Sequence, residues 1–136
     1  MEKILVGMNS KMTSLWAVIH ALNLAKRINA RISILFVTTS SGQHSKNKQE
    51  EDHPVRSQVE KLISDGRLEG LSIDYYLTCG SFKDELIKFI KEKKITLLVI
   101  EYPQREAKTD GEIFSEFIEE IKLRSGCRIE VVHPKK

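Results

Sequence analysis

Few side chains in this sequence stand where chemistry could be done, and most of those follow apolar runs. Asn9, Ser10 and Lys11 follow the run at 4–8, and Glu101, Tyr102 and Gln104 follow the run at 95–100. Polar groups at strand ends are where open α/β sheets hold their ligands; the plainer reading of these six is helix capping and loop structure. Cys79 precedes Gly80, and Ser81 with Asp84 three residues on has capping-box spacing. A thiolate beside a helix N-terminus is favoured by the dipole. Asp84 and Glu85 oppose it and no histidine is near in sequence, so Cys79 reads as a semi-buried plain thiol, with a reactive thiol as the alternative. Cys127 reads as structural. His20, His44, His53 and His133 lack metal-ligand spacing, and no metal is expected. The sequence contains no G-x-G-x-x-G, G-x-x-x-x-G-K-[ST] or G-x-S-x-G, and so carries no dehydrogenase, NTPase or hydrolase signature.

The elements that must position these residues alternate regularly. Apolar runs at 4–8, 32–37 and 95–100 are continuous, as in strands buried on both faces. After the first, residues 9–13 read as a polar turn with helix-capping residues. Leu15, Val18, Ile19, Leu22, Ala25 and Ile28 then recur at helical spacing. Trp16 falls off that stripe with His20, Asn23 and Arg27; it either covers a neighbouring helix or anchors a partner. Residues 38–54 are polar and read as a mobile loop. A second helix begins near Pro54 with Val55, Val59, Leu62 and Ile63 as its stripe.

Residues 71–78 alternate, with Leu71, Ile73, Tyr75 and Leu77 on one side, which predicts a half-exposed edge strand. Phe82, Leu86, Phe89 and Ile90 make a third stripe. Residues 101–110 read as a polar loop. Ile113, Phe114, Phe117, Ile118 and Ile121 make a fourth stripe, ended near Gly126, and residues 128–132 form a last strand. Strand-helix alternation of this kind predicts a single-domain α/β fold with an open, parallel, five-stranded sheet and helices on both faces. The expected strand order is 3-2-1-4-5. One domain over residues 1–136 suits the chain length.

Composition narrows the partners. Net charge is +3, from 22 basic and 19 acidic residues, too balanced to argue for nucleic acid or an acidic membrane surface. Lys91, Lys93, Lys94, Lys135 and Lys136 read as solvated surface. Two cysteines are too few for a disulfide scaffold, and together with the absence of an N-terminal h-region they predict a cytoplasmic protein with free thiols. No stretch reaches the apolar length of a membrane span.

The ordered pieces resemble the universal stress protein family. Val6-Gly7-Met8-Asn9 with Ser14-Leu15-Trp16-Ala17 is similar to its opening V-x-V-D strand and S-x-x-A helix. Leu24-Ala25-Lys26-Arg27-Ile28-Asn29-Ala30 resembles its L-A-K/R-x-x-x-A helix end, and Ile32-Ser33-Ile34-Leu35-Phe36-Val37 its second strand. Gly80-Ser81-Phe82-Lys83-Asp84-Glu85-Leu86-Ile87 is similar to G-x-x-x-E/D-E-I-L. Thr96-Leu97-Leu98-Val99-Ile100 resembles D-L-I-V-M, and Cys127-Arg128-Ile129-Glu130-Val131-Val132 its C-P-V-L-V-V ending. The resemblance implies a Rossmann-like sheet and a stress-response or signalling module.

The departures lie in the nucleotide site. Nucleotide-binding members of the family carry G-x-x-G, nine residues, then G-S/T after the fourth strand, where small residues let backbone N–H groups approach phosphates. Glu101 and Gln104 stand at the first two positions here and Phe114-Ser115 at the last pair. Asn9 replaces the aspartate of the first strand. A carboxylate at about 4 Å from a phosphate costs about 4 kcal/mol at an effective dielectric near 20.

The expectation is therefore a non-enzymatic module that does not hydrolyse ATP and takes no cofactor. The alternatives are an ATP- or AMP-binding switch using a divergent loop, and a small enzyme using Cys79 or crevice carboxylates. The candidate ligand crevice comprises Asn9, Ser10, Lys11, Val37, Glu101, Tyr102, Gln104 and Ser115. The resemblance further implies a homodimer through the last strand, with Arg128, Ile129, Glu130, Val131, Val132 and His133 at the interface. An unidentified protein partner completes the expectation.

Overall fold

The computed structural model describes residues 2–9, 15–38, 54–102 and 108–133. Five strands and four helices alternate: β1 (Lys3–Asn9), α1 (Trp16–Ile28), β2 (Arg31–Thr38), α2 (Pro54–Leu68), β3 (Ile73–Cys79), α3 (Phe82–Lys93), β4 (Leu97–Glu101), α4 (Lys108–Ser125) and β5 (Arg128–Val132). All neighbouring strands pair in parallel, in the order β3-β2-β1-β4-β5. This is the expected fold, and the three apolar runs became its three inner strands.

Two cores follow from the pleat. Ile4, Val6 and Met8 of β1 and Leu97 and Val99 of β4 face α1 and α2, with Val18, Leu22, Val59 and Ile63 packed on them. Leu5 of β1, Leu35 and Val37 of β2, and Leu98 and Ile100 of β4 face α3 and α4, against Leu86, Phe89, Phe114 and Ile121. Alternate residues on a strand serve opposite layers, so an inner strand must be apolar throughout. Alanines 17, 21 and 25, all buried on α1, let that helix lie close to the sheet. Gly7 does the same on the other side, because a Cβ there would stand 2.7 Å from Leu86 Cδ2 of α3.

The ends of the helices are chemically specified. The Ser81 hydroxyl accepts from the Asp84 N–H at 3.4 Å, with Asp84 and Glu85 in the first turn of α3. Helix α1 ends at Asn29 in the left-handed region, whose N–H reaches the Ala25 carbonyl.

Several expectations are corrected. The N-cap of α1 is Leu15, with no side-chain cap, and the polar turn expected at 9–13 otherwise lies outside the described residues. Thr38 and Pro54 belong to β2 and α2, and residues 39–53 lie outside the described residues. Ile28 and Ile113 are exposed because each lies off the arc its helix turns to the sheet. On β3 only Ile73 of the expected apolar side is buried, and Leu77 is exposed; Tyr76, from the opposite side, packs edge-on against Phe89 at 5.0 Å. Glu101 ends β4 and is 2% exposed, where a polar loop was expected.

Candidate functional site

The strand order reverses between β1 and β4, so their C-terminal ends open side by side. Gly7 pairs with Ile100, and Asn9 pairs with Val37 of β2. The pleat then divides the expected crevice. Asn9 follows Leu5 and Gly7 in phase and shares the α3 side with Val37, whereas Glu101 follows Leu97 and Val99 towards α1. Asn9 and Glu101 thus serve opposite faces of the sheet. Ser10, Lys11 and Gln104 lie outside the described residues. Val37 is buried, and Ser115 is exposed on α4.

Glu101 is the buried charged residue among the described ones. A carboxylate in that position costs several kcal/mol unless its oxygens are hydrogen-bonded or paired. Its burial on the α1 side takes the Glu101 carboxylate out of solvent.

The centre of the region is aromatic. Tyr102 follows β4, and its N–H donates to the Val132 carbonyl at 2.8 Å. Its ring meets Phe114 of α4 edge-on at 5.1 Å and stacks on His133 at 4.8 Å. Phe114 stacks on Phe117 at 5.8 Å, and Phe117 on Phe82 of α3 at 5.6 Å. Five rings, from α3, α4 and the ends of β4 and β5, are therefore continuous. Phe114 is 8% exposed and belongs to the core on this side. The helical spacing of 114 and 117 signals that pair in the sequence; the contacts of Tyr102 and His133 join residues from different strand ends and have no local signal.

Cys79 is exposed at the end of β3, not semi-buried, since the edge strand outruns its cover there. His20 and His133 belong with β5 at the opposite edge of the sheet, so neither can serve Cys79 as a base. Cys127 is buried, and burial pushes its thiol up. Among the described residues no group of three or more His, Cys, Asp or Glu could hold a metal ion, and no helix is long and apolar enough to cross a membrane.

At the β5 edge, Ile129, Val131 and Val132 are half-buried, and Arg128, Glu130 and His133 are exposed. Arg128 Nη2 donates to Glu2 at 2.7 Å, and His20 Nε2 lies 3.3 Å from Glu130. The charged side chains of this strand already have partners within the chain. The Thr96 hydroxyl also donates to Glu2, and with Arg128 it holds the Glu2 carboxyl below its usual value against the opposing effect of burial.

A single α/β layer sandwich on a parallel sheet in the order β3-β2-β1-β4-β5, with its switch point between β1 and β4, defines the class. The universal stress protein family matches residues 1–127, and the chain belongs to that family. A universal stress protein in complex with cAMP aligns with a TM-score of 0.70 at 20% identity, over 97% of this chain and 96% of its own. One from Archaeoglobus fulgidus in complex with dAMP aligns at 0.65 and 13% identity, over 97% of each chain. A family protein from Arabidopsis thaliana with AMP bound aligns at 0.63 and 14% identity, over 99% of this chain and 93% of its own. At such identities these likenesses concern the fold. No curated protein sequence matches the chain.

Proposed function

We propose that this member of the universal stress protein family is a cytoplasmic stress-response or signalling module that acts as a homodimer through β5, is not an enzyme, and does not bind ATP in the family's usual pose. The observation that carries the reading is Phe114. It stands where the resemblance sets the late glycine, and it is buried in the core with its ring on Tyr102 and Phe117. A backbone N–H can approach a phosphate closely only where no bulky side chain intervenes. The competing reading, a nucleotide switch, draws on the cAMP, dAMP and AMP complexes of similar structures.

Titration calorimetry with ATP and Mg²⁺, AMP and cAMP separates the two. The expected result is no binding at low micromolar concentration, which corresponds to roughly −8 kcal/mol. A low-micromolar dissociation constant for any of the three would overturn the reading. The dimer is supported by the geometry of the edge. The Tyr102 N–H bonds the Val132 carbonyl, which fixes the phase of β5: Arg128, Glu130 and Val132 bond to β4, and Ile129 and Val131 turn their N–H and C=O outward. Among the described residues nothing within the chain pairs with those outward groups. A second copy of the same strand would satisfy them with two-fold symmetry.

A further inference from the structure

The sheet has two edges, and they are not equivalent. The phase of β3 is fixed at both ends: the Ile32 N–H donates to Ser72 O at 2.9 Å, and the Gly80 N–H donates to Thr38 O at 3.0 Å. Even-numbered residues of β3 therefore bond to β2. Ile73, Tyr75, Leu77 and Cys79 turn their backbone groups away from the sheet. The first outward carbonyl is covered. Arg67, in the last turn of α2, donates to Ile73 O from Nη2 at 2.6 Å and from Nε at 3.1 Å. Two bonds from one planar guanidinium to one oxygen hold the side chain across the strand edge.

The turn behind it is equally fixed. The Leu71 N–H donates to Gly66 O at 3.0 Å, and a Cβ on Gly66 would lie 2.7 Å from Ile73 Cδ1. Arg67 is thus delivered to the edge by a close-packed α2–β3 connection. Its charge, in line with the backbone row, is the kind of feature that stops a further strand from pairing. The β5 edge carries no such cover among the described residues.

We propose that Arg67 closes the β3 edge against strand addition, so that pairing between copies of this chain is confined to β5. The confinement to β5 rests on the dimer reading above; the closure of β3 does not. Two open edges, each pairing with its like in a second copy, would permit open-ended growth, whereas one open edge permits a closed pair.

The test is the solution mass by light scattering across a concentration series, for the whole chain and four variants. Arg67→Ala is expected to grow beyond twice the 15.6 kDa chain mass, while the wild type stops there. Adding Leu77→Pro to Arg67→Ala removes an outward N–H of β3 without touching the bonds to β2, and should return the mass to the wild-type limit. Val131→Pro alone should be monomeric, and Arg67→Ala with Val131→Pro should reach a dimer through β3. The proposal is overturned if Arg67→Ala matches the wild type at every concentration. It is also overturned if the larger species persist with Leu77→Pro present, which marks them as aggregates of damaged protein. Loss of the native circular dichroism in Arg67→Ala overturns it too, because the guanidinium would then serve to hold the α2–β3 turn. Failure of the dimer reading shows separately, as a Val131→Pro protein with the wild-type mass.

Discussion

Replacing Phe114 by alanine asks whether its ring is core or a plug in an otherwise formed crevice. The ring is 8% exposed and lies 5.1 Å from Tyr102 and 5.8 Å from Phe117, centroid to centroid. Truncating a core phenylalanine costs about 3–5 kcal/mol, and each aromatic pair contributes about 0.5–1.5 kcal/mol within that sum. The site lies near the end of the sheet, where neighbours can relax, so about 3 kcal/mol is expected. Over 136 residues the unfolding entropy near the midpoint is about 0.29 kcal/mol per kelvin, which makes the shift in Tm about 10 °C. Urea unfolding followed by circular dichroism measures the loss, with an unchanged slope confirming that the same surface is exposed on unfolding. Ser115→Ala, one residue on and exposed, is the control and should stay within about 0.5 kcal/mol. A loss below about 1 kcal/mol for Phe114→Ala would refute the reasoning, because a ring that merely occupies a preformed site comes out cheaply.

Val131→Pro should halve the solution mass without changing the Tm of the monomer by more than a few degrees, since the outward N–H of residue 131 makes no bond within the sheet; an unchanged mass rules out β5 as the interface. Acidification should destabilise the fold through Glu2 and Glu120. Both carboxyls are held below the ordinary value of 4.5, Glu2 by the Thr96 hydroxyl and then Arg128, and Glu120 by Lys83 and then Arg124. Lowered values mean that their stabilisation is complete above the unfolded carboxyl value and disappears as pH falls through the folded values. The urea midpoint should therefore be level near neutrality and fall below about pH 4.5, and Arg128→Gln with Lys83→Gln should flatten that fall. An identical acid limb in the double variant contradicts the assignment.

What was legible in the sequence was governed by local pattern. Runs 4–8, 32–37 and 95–100 are apolar at consecutive positions, and only a strand covered on both faces needs that; these became β1, β2 and β4. The Ser81–Asp84 cap was also legible, because both partners lie within one turn. The crevice was legible only as a location. Glu101 reads as the start of a loop because it is charged, and its burial depends on how α1 covers the end of β4. The division of Asn9 from Glu101 depends on the pleat phase of two strands whose register is set by pairing far apart in the chain. Arg67 on the Ile73 carbonyl spans six residues across a turn, and no propensity rule distinguishes it from any other exposed arginine near a helix end.

Tyr102 ties the crevice to the β5 edge. Its N–H holds the Val132 carbonyl, its ring lies on His133 just beyond the strand, and its other side meets Phe114. The same residue therefore sets the phase that turns Val131 outward and closes the space between β4 and α4. Contact alone is not coupling, which requires an element with two arrangements that both regions bias. In this chain the candidate for that element is already filled: Phe114 is packed from Tyr102 on one side and Phe117 on the other, and close-packed rings resist small displacements. A crevice fixed in that way holds β5 in one phase, with Ile129 and Val131 presented continuously. On the proposed reading, self-association through β5 would then depend on protein concentration and on the edge itself, and adding a nucleotide should leave the solution mass unchanged.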